Sequence, residues 1–291
     1  MSLPYKIGIF GGDKRYVYLT EALLNTNHKV YAYNIENMVE HPDCYKVSSL
    51  AELFKECDIL IGPIPMTRNQ IHITSNHAAE DMTITNIRNL LEERHCLIGG
   101  NIPNSVKLSC VTRSIPYFDL MSKETITILN AIATAEGAIM EAILNSQSNL
   151  HGSKCLILGY GRCGKILAQK LKGLDASVTI AARSKEALAY ASAYGLQVMP
   201  MEEMKNTLSS YLFIFNTIPV PVIDKDSIDQ INPNCLIIDI ASAPGGTDFS
   251  YASERNIKAK LCLGLPGKVA PKSSADILFN EIIAYLKERS D

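Results

Sequence analysis

The sequence predicts an α/β fold made of two Rossmann-like domains, each a doubly wound parallel sheet. Three observations support this prediction. Short apolar segments of strand length alternate with helix-forming segments along the whole chain, which is typical of parallel sheets. The 291 residues exceed what a single hydrophobic core usually holds. A glycine-rich turn between an apolar strand and a helix-forming stretch also occurs at residues 155–164.

In the first half of the chain, strands and helices are predicted to alternate in a regular order. The strands are Lys6–Phe10, Val30–Tyr33, Asp58–Ile61 and Cys96–Ile98, and the helices are about Arg15–Asn25, Leu50–Cys57 and Ile84–Arg94. A long helix follows, roughly Lys123 to Leu144, with the Ser122 hydroxyl placed to cap its first turn. Its length and position indicate a connector between the two domains.

The second half continues the alternation through strands Val178–Ala181, Gln197–Met199, Leu212–Phe215 and Leu236–Ile240, with a helix at Lys185–Tyr194. A final helix runs from about Ser274 to Lys287, and its apolar residues recur at helical spacing: Ile277, Leu278, Ile282, Ile283 and Leu286. Such a stripe must be buried. We expect an amino-terminal domain of residues 1–140, completed by 270–291, and a Rossmann domain of residues 141–269.

Residues 155–164 read CLILGYGRCG and contain Gly159-x-Gly161-x-x-Gly164. In a dinucleotide site the first glycine allows the tight turn, the second lets backbone approach a pyrophosphate, and the third lets helix and strand pack closely. The start of the following helix supplies unpaired N–H donors. The alternative is a tight β-α turn without a ligand. We predict a nucleotide cofactor bound by this loop, with Tyr160, Arg162 and Cys163 also in contact.

The end of the next strand indicates which nucleotide is bound. NAD-binding versions usually place Asp or Glu there, about 20 residues past the glycines. Here the strand ends Ala181-Ala182-Arg183-Ser184-Lys185, without a carboxylate. Arg183, Ser184 and Lys185 suit a 2′-phosphate, so NADP is favoured over NAD. The alternative is a solvated basic turn.

Ligands of open parallel sheets bind beyond the carboxyl ends of the strands. Three loops follow strands of the second half directly: Asn216-Thr217-Ile218-Pro219, Ala241 to Gly246, and Gly264 to Lys268. Each alone could be ordinary turn chemistry. Together they predict further cofactor contacts from Asn216, Thr217, Ile218, Pro219 and Ala241.

The chain opens with another strand, glycines and helix in IGIFGGDKRY, but the dinucleotide spacing is missing. Asp13 would also place a carboxylate where a pyrophosphate should lie. We therefore expect a related fold without the cofactor, in which the Gly11–Gly12 backbone and Arg15 hold a substrate carboxylate. The alternative for Arg15 is a surface residue in the first helical turn.

Composition narrows the functional classes. The net charge of -2 and pI near 6.3 give no basic footprint, so nucleic acid is not expected as a partner. The eight cysteines form no C-x-x-C pair and indicate reduced, buried thiols rather than disulfides or a zinc site. No signal-peptide pattern is found, and the run Leu212–Ile223 is interrupted by Asn216, Thr217 and two prolines, so no membrane segment is expected.

Several longer stretches resemble one family: GGDxR, TAEGAIMEAI, LGYGRCG, AARS, NTIP, IDIASAPGGTDFSYA and GLPGKVAPKSSADIL. Together they are similar to the dipicolinate synthase A-subunit family of spore-forming bacteria. The resemblance implies NADP-dependent oxidation of dihydrodipicolinate to dipicolinate in the mother-cell cytoplasm during sporulation. It also implies that the partner is the flavoprotein-like B-subunit of dipicolinate synthase, and that the domains have a formate/glycerate dehydrogenase-like arrangement. The loop ASxPGG departs from the expected pattern, because Ala243 stands where a basic or polar residue is expected.

This reaction makes an aromatic ring, so the protein must mainly align the reacting ring with the nicotinamide and bind two carboxylates. We expect an interdomain cleft whose substrate-binding residues are Gly11, Gly12, Arg15, Thr134 and Lys272. The expected catalytic residues are Ser242, Lys268 and Glu136, with Glu136 on the connector helix as general base. The alternative for Glu136 is a solvated or capping helix carboxylate.

Two other functional classes share parts of this pattern. A D-2-hydroxyacid dehydrogenase has the same architecture but needs a late histidine paired with an acid, whereas all six histidines precede the glycine motif. A non-catalytic NADP-binding scaffold or sensor protein would need only the glycine loop. The sequence leaves open which of the two synthase subunits performs the hydride step, and it is compatible with a homo-oligomer.

Overall fold

A computed structural model describes residues 5–26, 28–37 and 39–289 and confirms the α/β class. The chain forms two compact units, each built on one six-stranded parallel sheet. Unit 1 contains the residues up to Thr127 together with those from Ala270 onward, and unit 2 is Ile128–Val269.

In unit 1 the strand order is β3-β2-β1-β4-β5-β6, with β1 in the interior of the sheet. The strands are β1 (Lys6–Phe10), β2 (Lys29–Tyr33), β3 (Cys44–Lys46), β4 (Ile59–Ile61), β5 (Cys96–Gly99) and β6 (Tyr117–Asp119). The helices are α1 (Lys14–Leu24), α2 (Leu50–Glu56), α3 (Ile84–Leu90) and α4 (Asn104–Thr112). The helix α5 (Glu124–Asn145) then leads into unit 2.

In unit 2 the strand order is β12-β11-β10-β7-β8-β9. The strands are β7 (Lys154–Leu158), β8 (Ser177–Ala182), β9 (Gln197–Pro200), β10 (Phe213–Asn216), β11 (Leu236–Asp239) and β12 (Lys258–Leu261). The helices are α6 (Arg162–Gly173), α7 (Lys185–Ala193), α8 (Lys225–Ile228), α9 (Phe249–Glu254) and α10 (Leu265–Val269). The order reverses beside β7, where β8 lies on one side and β10 on the other. This is the switch point at which such sheets bind ligands.

The last helix, α11 (Pro271–Glu288), belongs to unit 1. Its Leu278, Ile282 and Leu286 are buried in the same core cluster as Leu19 and Leu23 of α1. The ring of Tyr285 also stacks on Phe118, with 4.4 Å between the ring centroids. The apolar stripe of the final helix is therefore covered within unit 1.

The units divide inside α5, after Thr127, rather than at residues 140 and 141. The reason is packing. Ile126 lies in a core cluster of unit 1, whereas Ala135, Ala138 and Ala142 lie in a core cluster of unit 2.

By length and composition alone, α5 could cross a membrane, and 44% of its most apolar window is buried. Core helices of globular proteins have the same length and apolar composition, so these two properties do not assign α5 to a membrane. The Ala135, Ala138 and Ala142 side chains pack in the core of unit 2. Glu136 and Glu141 on the same helix form ion pairs.

All eight cysteines are free thiols, as the sequence predicts, and six of them are buried. Burial raises the pKa of the Cys57, Cys155 and Cys235 thiols to about 12. These thiols are therefore protonated and act as small apolar side chains near neutral pH.

Candidate functional site

The glycine turn after β7 has the geometry that its spacing predicts. Gly159 has a φ of 93°, which a residue with a side chain rarely adopts. A Cβ on Gly164 would lie 2.3 Å from the Gly159 carbonyl oxygen, so the helix can approach the strand only without it. A Cβ on Gly161, by contrast, would meet no atom within 4 Å. The open side of the turn is therefore at Gly161.

The first turn of α6 is suited to an anion. Gly161 is its N-cap residue and provides no side-chain cap, so the loop leaves first-turn N–H groups without a side-chain acceptor. Arg162 is exposed beside it, Cys163 is half-buried, and Tyr160 is buried. Burial raises the pKa of the Cys163 thiol. Open space, helix N–H groups and an exposed arginine fit a nucleotide pyrophosphate.

The basic residues after β8 lie at the same edge of the sheet. β7 and β8 pair in register, with Leu158 opposite Ala181, so the ends of both strands are adjacent. Arg183, Ser184 and Lys185 are all exposed. The Ser184 hydroxyl oxygen accepts a hydrogen bond from the Ala187 N–H at 3.2 Å and so caps α7, which leaves its O–H free to donate.

The loop after β10 is held from within by Asn216, which is completely buried. Its side-chain amide donates to the Ile218 carbonyl oxygen at 3.0 Å, and its Oδ1 accepts from the Ile218 N–H at 3.0 Å. Thr217 donates from Oγ1 to the Leu158 carbonyl oxygen at 2.8 Å. These side chains shape the loop from the protein side. The predicted cofactor contact from Asn216 is contradicted, because this residue is completely buried. Pro219 is exposed.

Asp239, the last residue of β11, is a completely buried acid that no sequence motif predicts as part of the site. Its carboxylate accepts four hydrogen bonds of 2.8 to 3.0 Å. The donors are the Asn216 side chain, the Ala241 and Gly246 N–H groups and the Thr247 hydroxyl. Asp239 thereby joins the loops after β10 and β11. A single acid ending the apolar run LIID is the sequence signal that could have identified it.

The adjacent glycines of the Ala241–Gly246 loop are needed for this packing. Gly245 has a φ of 86°, and a Cβ on Gly246 would lie 2.6 Å from Asn216 Nδ2 and from the Ile218 and Val220 carbonyl oxygens. Ala241 is buried beside them. Ser242 and Ala243 are exposed. The loop therefore presents Ser242 to solvent from a fixed backbone.

The segment after Gly264 is a short helix, α10, rather than a loop, and Lys268 is exposed on it. Lys272 is exposed in the first turn of α11, which belongs to unit 1. Thr134 is half-buried on α5, and its hydroxyl donates to the Asn130 carbonyl oxygen at 3.0 Å.

Glu136 forms an ion pair with Lys170, 2.8 Å away, and its side chain is 52% exposed. An exposed, paired carboxylate matches the alternative interpretation, a solvated acid on a helix.

The first glycine turn is contradicted as a carboxylate site. The Gly11 N–H donates to the Tyr33 carbonyl oxygen at 3.0 Å, and the Gly12 N–H donates to that of Thr74 at 2.8 Å. Both N–H groups are therefore already used. A Cβ on Gly12 would lie 2.2 Å from the Tyr16 ring, which explains this glycine by packing.

Arg15 is only 5% exposed, so its assignment as a substrate-binding residue is also contradicted. Its guanidinium makes two hydrogen bonds of 2.8 Å to the Asp13 carboxylate and one of 2.7 Å to the Ile64 carbonyl oxygen. Burial lowers the pKa of Arg15, but hydrogen bonds and charge attraction from Asp13 outweigh it, and the pKa is raised. Arg15 is a structural cation of unit 1.

Unit 1 has a second strand-end acid, Asp119, which no sequence motif predicts as a site residue either. It is 8% exposed, accepts from the Asn101, Ile102 and Met121 N–H groups, and pairs with Lys107 at 2.6 Å. A cavity of about 560 Å³ at this edge is lined by Asp119, Lys107 and the start of α4.

Comparison with known protein families matches both parts of the chain. Residues 6–121 match the N-terminal domain of the dipicolinate synthase A-subunit. Residues 125–244 match the NAD binding domain of D-isomer specific 2-hydroxyacid dehydrogenases. Unit 2 thus contains the nucleotide-binding domain of an NAD(P)-dependent oxidoreductase.

Relatives match over nearly the full chain. The dipicolinate synthase A-subunit of Bacillus subtilis (strain 168) is 32% identical over 286 residues, which are 97% of this chain and 96% of the relative. The crystal structure of the Bacillus halodurans A-subunit is 28% identical, covers 97% of both chains and has a TM-score of 0.87. A crystal structure of the corresponding Bacillus subtilis polypeptide is 29% identical, covers 99% of this chain and 97% of that chain, and has a TM-score of 0.85.

Proposed function

The chain belongs to the dipicolinate synthase A-subunit family, and from this premise we propose that it oxidises dihydrodipicolinate to dipicolinate with NADP as hydride acceptor. The observation that carries the proposal is the open Gly161 turn with an arginine and no carboxylate after β8. A bound nicotinamide would supply the hydride-accepting carbon, and the product ring becomes aromatic.

Different residues of unit 2 bind different parts of the nucleotide. The first-turn N–H groups of α6, with Arg162, hold the pyrophosphate. Arg183 and Lys185 offer positive charge to a 2′-phosphate, and the Ser184 O–H donates to it. Glu186, in the first turn of α7, is the next carboxylate along the sequence. Its negative charge would disfavour binding of a 2′-phosphate if the side chain turned toward that phosphate.

The substrate has two carboxylates, and the exposed cations and hydroxyl left by the structure are candidates to bind them. In unit 2 these are Ser242, on the loop that Asp239 fixes, and Lys268 on α10. Burying a carboxylate without a charged partner costs roughly several kcal/mol, so we expect a cation such as Lys268 to pair with it.

The chain is proposed to work with a partner subunit in a defined cellular setting. The named relatives are each one subunit of a synthase, which implies a second subunit, and we propose that this is the flavoprotein-like B-subunit. The complex works in the mother-cell cytoplasm of a sporulating bacterium.

The decisive experiment is single-turnover reduction of NADP by the purified chain with dihydrodipicolinate, with and without the B-subunit, followed at the absorbance of NADPH. Reduction by the chain alone, or only with the B-subunit, would each support a role in hydride transfer. NADP that stays oxidised in both reactions would refute the catalytic proposal and favour a non-catalytic nucleotide-binding protein.

Cofactor choice has its own test. We expect NADP to bind at least about tenfold more tightly than NAD, a difference of about 1.4 kcal/mol. Arg183→Ala should remove most of this difference, whereas Arg255→Ala, an exposed arginine of the same unit paired with Asp229, should not. Equal affinities for the two nucleotides in the wild type would refute the preference for NADP.

A further inference from the structure

We propose that Asp239 is a positioning residue for the nicotinamide half of the nucleotide, an inference that rests on the proposed nucleotide binding. Asp239 touches no part of the open surface, since it is completely buried. It acts through the two loops that it ties together, one after β10 and one after β11.

The hydrogen bonds form one connected network. Asp239 Oδ2 accepts from Asn216 Nδ2 at 2.9 Å, and Asn216 in turn holds both the N–H and the carbonyl oxygen of Ile218. The same Oδ2 accepts from the Gly246 N–H and the Thr247 hydroxyl, while Oδ1 accepts from the Ala241 N–H. All four partners donate, so the site is built for an acceptor-only carboxylate.

The strand order puts this network on the nicotinamide side. A dinucleotide spans the switch point, with its pyrophosphate on the turn after the first strand and its adenosine ribose at the end of the next strand. In unit 2 these are β7 and β8, where Arg183 lies. The other half of the nucleotide then extends across β7 toward β10 and β11, where the loops held by Asp239 lie.

The network holds the loops after β10 and β11, and the first of these loops reaches the strand before the glycine turn through Thr217, whose Oγ1 donates to the Leu158 carbonyl oxygen. No hydrogen bond of Asp239 among the described residues reaches the glycine turn or the residues after β8. Replacing the acid by asparagine keeps its shape but turns an N–H₂ group toward one of the four donors, which loosens the loops locally. Loss of order there should weaken a ligand that contacts the loops and spare one that does not.

The test compares whole NADP with adenosine 2′,5′-bisphosphate, which lacks the nicotinamide half. Both are titrated by calorimetry into the full chain carrying Asp239→Asn, with thermal unfolding measured in parallel. NADP affinity should fall about tenfold, while the affinity for the bisphosphate should stay within about twofold. Asp119→Asn is the matched control, because it removes a buried strand-end carboxylate from unit 1. This control should lower the unfolding temperature and leave both affinities unchanged.

Thr247→Val provides a milder variant, since it removes one donor and keeps the acid. This variant should also lower the NADP affinity, by about threefold. An Asp239→Asn protein that binds NADP as tightly as the wild type, or whose affinities for both ligands fall equally, would overturn the role of Asp239 but not the proposed nucleotide binding. A wild-type chain that binds neither ligand would overturn the proposed nucleotide binding, and the inference with it.

Discussion

Gly161→Ala should abolish tight nucleotide binding without unfolding the protein. Its added Cβ would meet no protein atom within 4 Å, and Gly161 does not have a positive φ. Alanine is a poorer N-cap than glycine by about 0.5 to 1 kcal/mol, but it lowers the entropy of the unfolded chain by about 0.4 to 1 kcal/mol. The free energy of unfolding should therefore change by less than about 0.5 kcal/mol.

The same methyl group occupies the space through which a phosphate would approach the backbone. An N–H···O bond needs about 2.9 Å, whereas a methyl carbon keeps an oxygen at roughly 3.5 Å. Loss of one charge-assisted hydrogen bond costs about 1.5 to 3 kcal/mol, which corresponds to roughly a 10- to 150-fold weaker Kd.

The assay is calorimetric titration of NADP together with urea unfolding. Gly173→Ala, at the end of α6, is the control, because its added Cβ also meets nothing within 4 Å and lies away from the turn. Gly164→Ala is the contrasting variant and should be destabilised by about 1 to 3 kcal/mol through overpacking. A Gly161→Ala protein with unchanged NADP affinity would refute the assignment of this turn.

Arg15→Ala should lower the free energy of unfolding by about 3 to 5 kcal/mol and leave the NADP affinity unchanged. The control is Arg68→Ala, at an exposed arginine, which should change the free energy of unfolding by less than about 0.5 kcal/mol. An Arg15→Ala protein as stable as the wild type would contradict the structural role of Arg15. The hydrogen bond from Lys205 lowers the pKa of Asp224 to about 2, so Asp224 stabilises the fold above its unfolded pKa of about 4. The difference in free energy of unfolding between the wild type and Asp224→Asn, measured by urea unfolding, should shrink as the pH falls from 5 toward 2. A difference that stays constant over this pH range would disprove the stabilising role of the ionised Asp224.

The sequence predicts interior strands better than edge strands. β1 and β7 are almost continuous apolar runs because helices cover both faces of a parallel sheet. The missed strands β3, β6 and β12 all lie at sheet edges. β12 reads Lys258-Ala-Lys-Leu and is partly exposed, so no apolar run marks it.

The glycine turn could be predicted because its geometry is local, with spacing, strand and helix all contained in about twenty residues. The substrate assignments of Gly11, Gly12 and Arg15 failed because the groups that bind their donors are distant in sequence. Arg15 is bound by the Ile64 carbonyl oxygen, 49 residues away, and the Gly12 N–H is bound by Thr74. No local pattern reveals that such donors are already used. The sequence predicts a loop at α10 because Pro266 and Gly267 usually break helices, but proline fits a first helical turn.

The buried thiols are built-in chemical probes of unfolding in each unit. Alkylating reagents attack the thiolate, and burial leaves the sulfurs of Cys57 in unit 1 and Cys155 in unit 2 both shielded and protonated. Modification of either sulfur therefore requires its own core to open. Pulsed alkylation read by peptide mass spectrometry would time the opening of each sheet separately, and would reveal whether the helix α5 makes the two cores melt as one cooperative body.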